Sequence, residues 1–138
     1  MFLFKENYAM FTRNIDKAIR FYQDSFMMRM YNLSADGKEV LLENISDSKL
    51  LRLVELDKFT PSEITIYSNE ISAAHKIHLR QGIIIKDDPM NAVYSVEDLD
   101  GNKIIVVGES EQIVLDTNES SKDGVSDSDD DSVDELAE

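Results

Sequence analysis

The 138-residue chain has no cysteine, which excludes a disulfide framework, a thiolate metal site and a cysteine nucleophile together, and fits a reducing compartment. It also has no apolar run near the roughly 18 residues that a membrane span requires. The N-terminus, MFLFKENYAM, sets Lys5 and Glu6 where a secretory leader would carry its apolar stretch. A cytoplasmic protein with no membrane partner is the expectation. Basic residues are scarce, 14 Lys and Arg against 28 Asp and Glu, and they form no stripe, so nucleic acid is not expected as a partner. There is no glycine-rich phosphate loop, and no serine stands with a histidine in the arrangement of a nucleophilic triad.

The formal charge of −14 is unevenly spread. From Asp116 onward there are ten acidic residues and one lysine, so nine of the fourteen negative charges lie in the last stretch. That stretch has no aromatic residue and cannot bury enough apolar surface to offset the entropy of ordering, so residues 116–138 read as a disordered acidic tail. It is either a solvated solubility segment or a docking segment for a basic partner, with Ser126, Ser128 and Ser132 placed for phosphorylation beside acidic residues. Residues 1–115 suit one compact domain.

Within that domain one pattern occurs twice. In the first unit, about 6–57, NYAMFTR alternates as a strand, and IDKAIRFYQDSF sets Ile15, Ala18, Ile19 and Tyr22 on one helix face with Asn14 as its N-cap. Strand candidates MMRMYNLS, KEVLLEN and KLLRLVEL follow, with turns at Ala35-Asp36-Gly37 and Ser46-Asp47-Ser48. In the second, about 62–110, SEITIYS precedes a helix through ISAAHKIHLRQ that Asn69 could cap and Gly82 would end. GIIIKDD, AVYSVED and NKIIVV then read as strands. The order is βαβββ both times, an α+β fold. Each helix covers one face of its sheet, so the two open faces are expected to come together as a paired, cupped mixed sheet whose interior holds a ligand. His75 and His78 are three apart on the second helix with no local carboxylate, and read as exposed or half-buried helix residues.

Two motifs at matching places resemble a known family. Asn14-Ile15-Asp16-Lys17-Ala18-Ile19-Arg20-Phe21-Tyr22 is similar to the start of the first helix in the vicinal oxygen chelate superfamily, which includes glyoxalases, bleomycin-resistance proteins and extradiol dioxygenases. Glu97-Asp98-Leu99-Asp100-Gly101-Asn102-Lys103-Ile104 is similar to its D-P-D-G-N turn into the last strand, with Leu99 in place of proline. Phe26-Met27 stands where Leu-Gly usually follows the helix motif. The resemblance covers about residues 6–110 and implies the glyoxalase-like fold and a homodimer.

It also implies four inward positions from which enzymes of the superfamily hold a divalent ion as a Lewis acid. Those positions fall at Asn7, at or near Glu63, at Ile105, and at Arg52 or Leu53, with Glu55 if the register slips. Isoleucine offers no donor and asparagine one neutral oxygen, so Asn7 and Glu63 are weak metal candidates and no cofactor is expected. Period two then sends Asn7, Phe11 and Arg13, with Glu63, Thr65, Tyr67 and Ile105, toward a ligand, along with Ala9, Lys103 and Val107. Phe11 and Tyr67 would wall a site whose polar points are Asn7, Arg13 and Glu63, unless Arg13 and Glu63 pair with each other. The expected function is metal-independent binding or sequestering of a small molecule. A metal-dependent glyoxalase-like lyase or isomerase using Glu63 is the alternative, and an interaction protein acting through the acidic tail is a third.

Overall fold

A computed structural model describes residues 1–109. The acidic segment 116–138, and with it the expectation of a disordered tail, lies outside the described residues. The elements run β1 (Phe2–Leu3), β2 (Tyr8–Thr12), α1 (Ile15–Phe26), β3 (Met28–Leu33), β4 (Glu39–Asn44), β5 (Leu50–Glu55), β6 (Glu63–Ser68), α2 (Ile71–Gln81), β7 (Ile84–Asp88), a 3₁₀ turn (Pro89–Asn91), β8 (Val93–Glu97) and β9 (Lys103–Gly108). Both βαβββ units are present. One sheet has the order β2-β5-β4-β3 and the other β1-β6-β9-β8-β7, with β2–β5 and β6–β9 parallel and the remaining pairs antiparallel. The unforeseen strand is β1, which pairs only Phe2 with Ser68 and Leu3 with Tyr67. Its anchor is a side chain, since Phe2 is buried against the Phe26 ring at 5.2 Å and the His78 ring at 5.5 Å.

The core lies between the helices and one face of each sheet. Even-numbered residues of β6 and β9 (Ile64, Ile66, Ile104, Val106) and Leu51 and Leu53 of β5 point there and are buried. Each such side chain contributes about 1.5–3 kcal/mol relative to exposure. Odd-numbered positions of β2, β6 and β9 take the opposite face, where Ala9 and Phe11 are exposed and Thr65, Tyr67 and Ile105 half-buried. The open faces therefore do not seal against each other; the units meet through their helices and the strand edges beside them.

Helix ends explain how the units join. Asn14 caps α1, its Oδ1 accepting from the Lys17 N–H at 3.0 Å. At the other end α1 leaves carbonyls with no intrahelical partner, and α2 supplies donors for two of them. His78 Nε2 lies 2.6 Å from the Ser25 carbonyl and Gln81 Nε2 donates to the Asp24 carbonyl at 3.1 Å. This overturns the reading of His78 as exposed or half-buried: it is fully buried, because the end of α1 needs a donor there. Asn69 does not cap α2 either. Glu70 occupies the cap without a side-chain hydrogen bond, and the buried Asn69 Oδ1 has no partner among the described residues. Gly82 does end α2, in the left-handed conformation at φ 70°.

Candidate functional site

The Asp98–Asn102 turn joins the second unit to the first. Asp98 accepts from the Asn102 and Asp100 N–H groups at 2.9 Å each, from Asn102 Nδ2 at 2.9 Å and from the buried Tyr22 hydroxyl at 2.6 Å. Burial and then the Asp98 charge push the Tyr22 hydroxyl pKa well above its ordinary value. Asp100 accepts from Thr12 Oγ1 at 2.5 Å and the Arg13 N–H at 2.9 Å, while Asn102 donates to the Phe11 carbonyl at 3.1 Å. The two sequence motifs are thus one contact, Tyr22 of the first meeting Asp98 of the second.

The open face is read in rows set by strand register. Lys86, Ser95, Ile105 and Thr65 lie in one row across β7, β8, β9 and β6. Asp88, Val93, Val107 and Tyr67 form the next, and Glu97, Lys103 and Glu63 a third. Around Ile105 these rows frame a cavity of about 150 Å³, lined also by Lys86, Asp88, Val93, Ser95 and Lys103. Ser95 and Lys86 were not singled out from sequence, although the same alternation that turned Ile105 to this face turns them there.

Asn7, Phe11, Arg13, Glu63, Thr65 and Tyr67 do not line that cavity. Asn7 Oδ1 accepts from the Leu50 N–H at 2.9 Å, which ties the start of β2 to β5. Phe11 packs on Phe59 with ring centroids 5.8 Å apart, and the Arg13 guanidinium sits 4.9 Å from the Phe59 ring while pairing with Asp100 at 3.5 Å. Arg13 and Glu63 are not partners, because parallel register sets Glu63 beside Lys103, 3.6 Å away. Tyr67 lies under the Lys5 ammonium, 4.2 Å from the ring centroid. The Thr65 carbonyl oxygen accepts from the Tyr8 hydroxyl at 2.6 Å.

The donor set can be tested against a divalent ion. Asn7 spends its oxygen on a backbone N–H, Glu63 faces an ammonium, and Ile105 has nothing to give. At the fourth position Leu53 is buried in the core and Arg52 turns to the open face, its guanidinium paired with Glu39. Glu55 accepts from the Ile15 N–H at 3.3 Å. Among the described residues no three His, Cys, Asp or Glu side chains gather as a metal site. Hard divalent ions need several oxygen ligands, and these four positions do not fit one.

No family model matches the chain, and no curated protein does. Solved structures do. An integron cassette protein from the mobile metagenome of the Halifax Harbour sewage outfall superposes with a TM-score of 0.67 at 15% identity, over 75% of this chain and 97% of that one. Lactoylglutathione lyase from Agrobacterium tumefaciens gives 0.61 at 18% identity, over 74% and 91%. A glyoxalase/bleomycin resistance protein/dioxygenase superfamily member from Sphaerobacter thermophilus gives 0.62 at 18%, over 75% and 96%. With both βαβββ units and their joining turn in place, the chain has the vicinal oxygen chelate fold of the glyoxalase, bleomycin-resistance and dioxygenase proteins.

Proposed function

We propose that this chain binds a small, partly apolar organic molecule on the open face of its paired sheets and uses no resident metal to do so. The observation that carries the reading is the donor set. Where the fold would hold an ion, Asn7 is bonded to backbone, Glu63 and Arg52 are in ion pairs, and Ile105 is apolar. The cavity beside Ile105 combines apolar walls with Lys86, Asp88, Ser95 and Lys103, the mixture that orients a small ligand. Phe11, 39% exposed on the same face, favours a second copy of the chain covering it, and a homodimer is part of the reading.

Thermal unfolding against a panel of small metabolites and antibiotics tests it. A bound compound raises the midpoint, by about 2.7 kcal/mol of added stability at a hundredfold excess over Kd. Ile105→Trp, which fills the cavity from a half-buried position, should abolish that shift and leave the midpoint of the free protein within a few degrees. A panel without any stabilising compound, or a shift unchanged in the Trp variant, would remove the reading.

A further inference from the structure

A larger cavity, about 270 Å³, lies between α2, the Pro89–Asn91 turn and the start of β8, and shares only Val93 and Tyr94 with the cavity beside Ile105. Its apolar wall is Ile71, Pro89, Ala92 and Val93, and its polar wall is Ser72, His75 and Lys76 of α2. No acidic side chain lines it, in a chain with twice as many acidic as basic residues.

The site is held in shape from three sides. His75 Nε2 lies 2.7 Å from Asp87 Oδ2, and its ring stands edge-on to Tyr94 with centroids 5.1 Å apart. A carboxylate only accepts, so Nε2 carries the hydrogen and Nδ1 is left without a partner among the described residues. Lys76 makes no ion pair among the described residues. Ala92 is held at φ 53°, a left-handed conformation that costs a non-glycine residue about 1–2 kcal/mol. Gly108 makes the close approach possible: a Cβ there would come 3.0 Å from the Ala92 Cβ and 3.2 Å from the Ile71 Cβ, both residues of the cavity.

We infer that this cavity is a second binding site, for a small monocarboxylate with a flat or branched apolar body. The carboxylate meets the donors of Lys76 and Ser72, and the body lies against the edge of the His75 ring, Ile71 and Ala92. Asp87, on β7, faces the ring and is engaged by His75.

Benzoate is the probe, with benzamide as its neutral isostere, each titrated into the full-length protein while backbone amide shifts are followed by NMR. Benzoate should move the amides of Ser72, His75, Lys76 and Ala92 with a Kd of about 1 mM, and benzamide should bind roughly three- to fivefold more weakly. Lys76→Gln should weaken benzoate by a similar factor without affecting benzamide. Ser72→Trp, a change on an exposed helix position that covers the mouth, should remove both. Equal binding of benzoate and benzamide, or shifts confined to Lys86, Ser95, Lys103 and Ile105, would overturn the proposal; the latter pattern would instead support the open-face site. An unchanged benzoate affinity in Lys76→Gln would overturn it as well.

Discussion

His78 carries the most information of any single residue. Its Nε2 meets a carbonyl, which only accepts, so Nε2 is protonated and Nδ1, 2.7 Å from the Tyr94 hydroxyl, is the acceptor. A second proton has no place there unless Tyr94 turns its own hydrogen away. Burial, with the nearby His75 adding to it, lowers the His78 pKa below its ordinary value despite the Ser25 carbonyl, which favours the charged form. The unfolded chain therefore binds the proton more readily. Stability is full above the unfolded value of about 6.5 and falls as pH drops below it toward the lowered folded value. Urea unfolding between pH 7.5 and 5 should show this loss, and His78→Gln, less stable at pH 7.5, should show a flatter profile. A wild-type profile with no slope below pH 6.5 would contradict the assignment. None of this was legible in the sequence, where a histidine on a mildly amphipathic helix reads as surface. Its burial depends on the carbonyls at the end of a helix more than fifty residues away.

Among the elements, α1 ends on a left-handed residue with a measurable consequence. The helix ends at Met27, φ 57°, with the Met27 N–H bonded to the Tyr22 carbonyl. Left-handed geometry there suits glycine, whereas methionine bears a Cβ penalty. Met27 is 47% exposed, so little packing is lost on truncation. Met27→Gly should raise stability by about 0.5–1 kcal/mol, read as a higher urea midpoint at unchanged slope. A lower midpoint would mean that the Met27 side chain packs more than its exposure indicates. The elements themselves were legible, since alternation, the Asn14 cap and Gly82 mark their bounds by local chemistry. Strand β1 was not: two residues carry no periodicity, and Phe2 is held by tertiary contact with Phe26 and His78. The α2 cap was misplaced by one residue for a similar reason, because cap geometry falls at Glu70 while the half-buried Asn69 turns its Oδ1 inward.

For the whole molecule, the duplicated pattern specified two βαβββ units, and the pairing of Tyr22 with Asp98 explains why their motifs occur together. Which residues face the open side followed from period two. Which of them touch one another did not, because partners are set by register between strands distant in sequence. Glu63 pairs with Lys103 and not with Arg13, and Arg52 with Glu39, and these pairings decide the chemistry more than residue type alone. They convert a fold whose relatives include a lactoylglutathione lyase into a scaffold whose inward positions hold ion pairs, a backbone bond and an isoleucine.

That claim is most directly tested by the metal content of the purified protein together with its thermal midpoint after stripping and addition of Mn²⁺, Ni²⁺ or Zn²⁺. The account predicts far less than one divalent ion per chain and no rise in the midpoint with any of the three. About one tightly bound ion per chain, lost on Glu63→Gln and stabilising when restored, would contradict it.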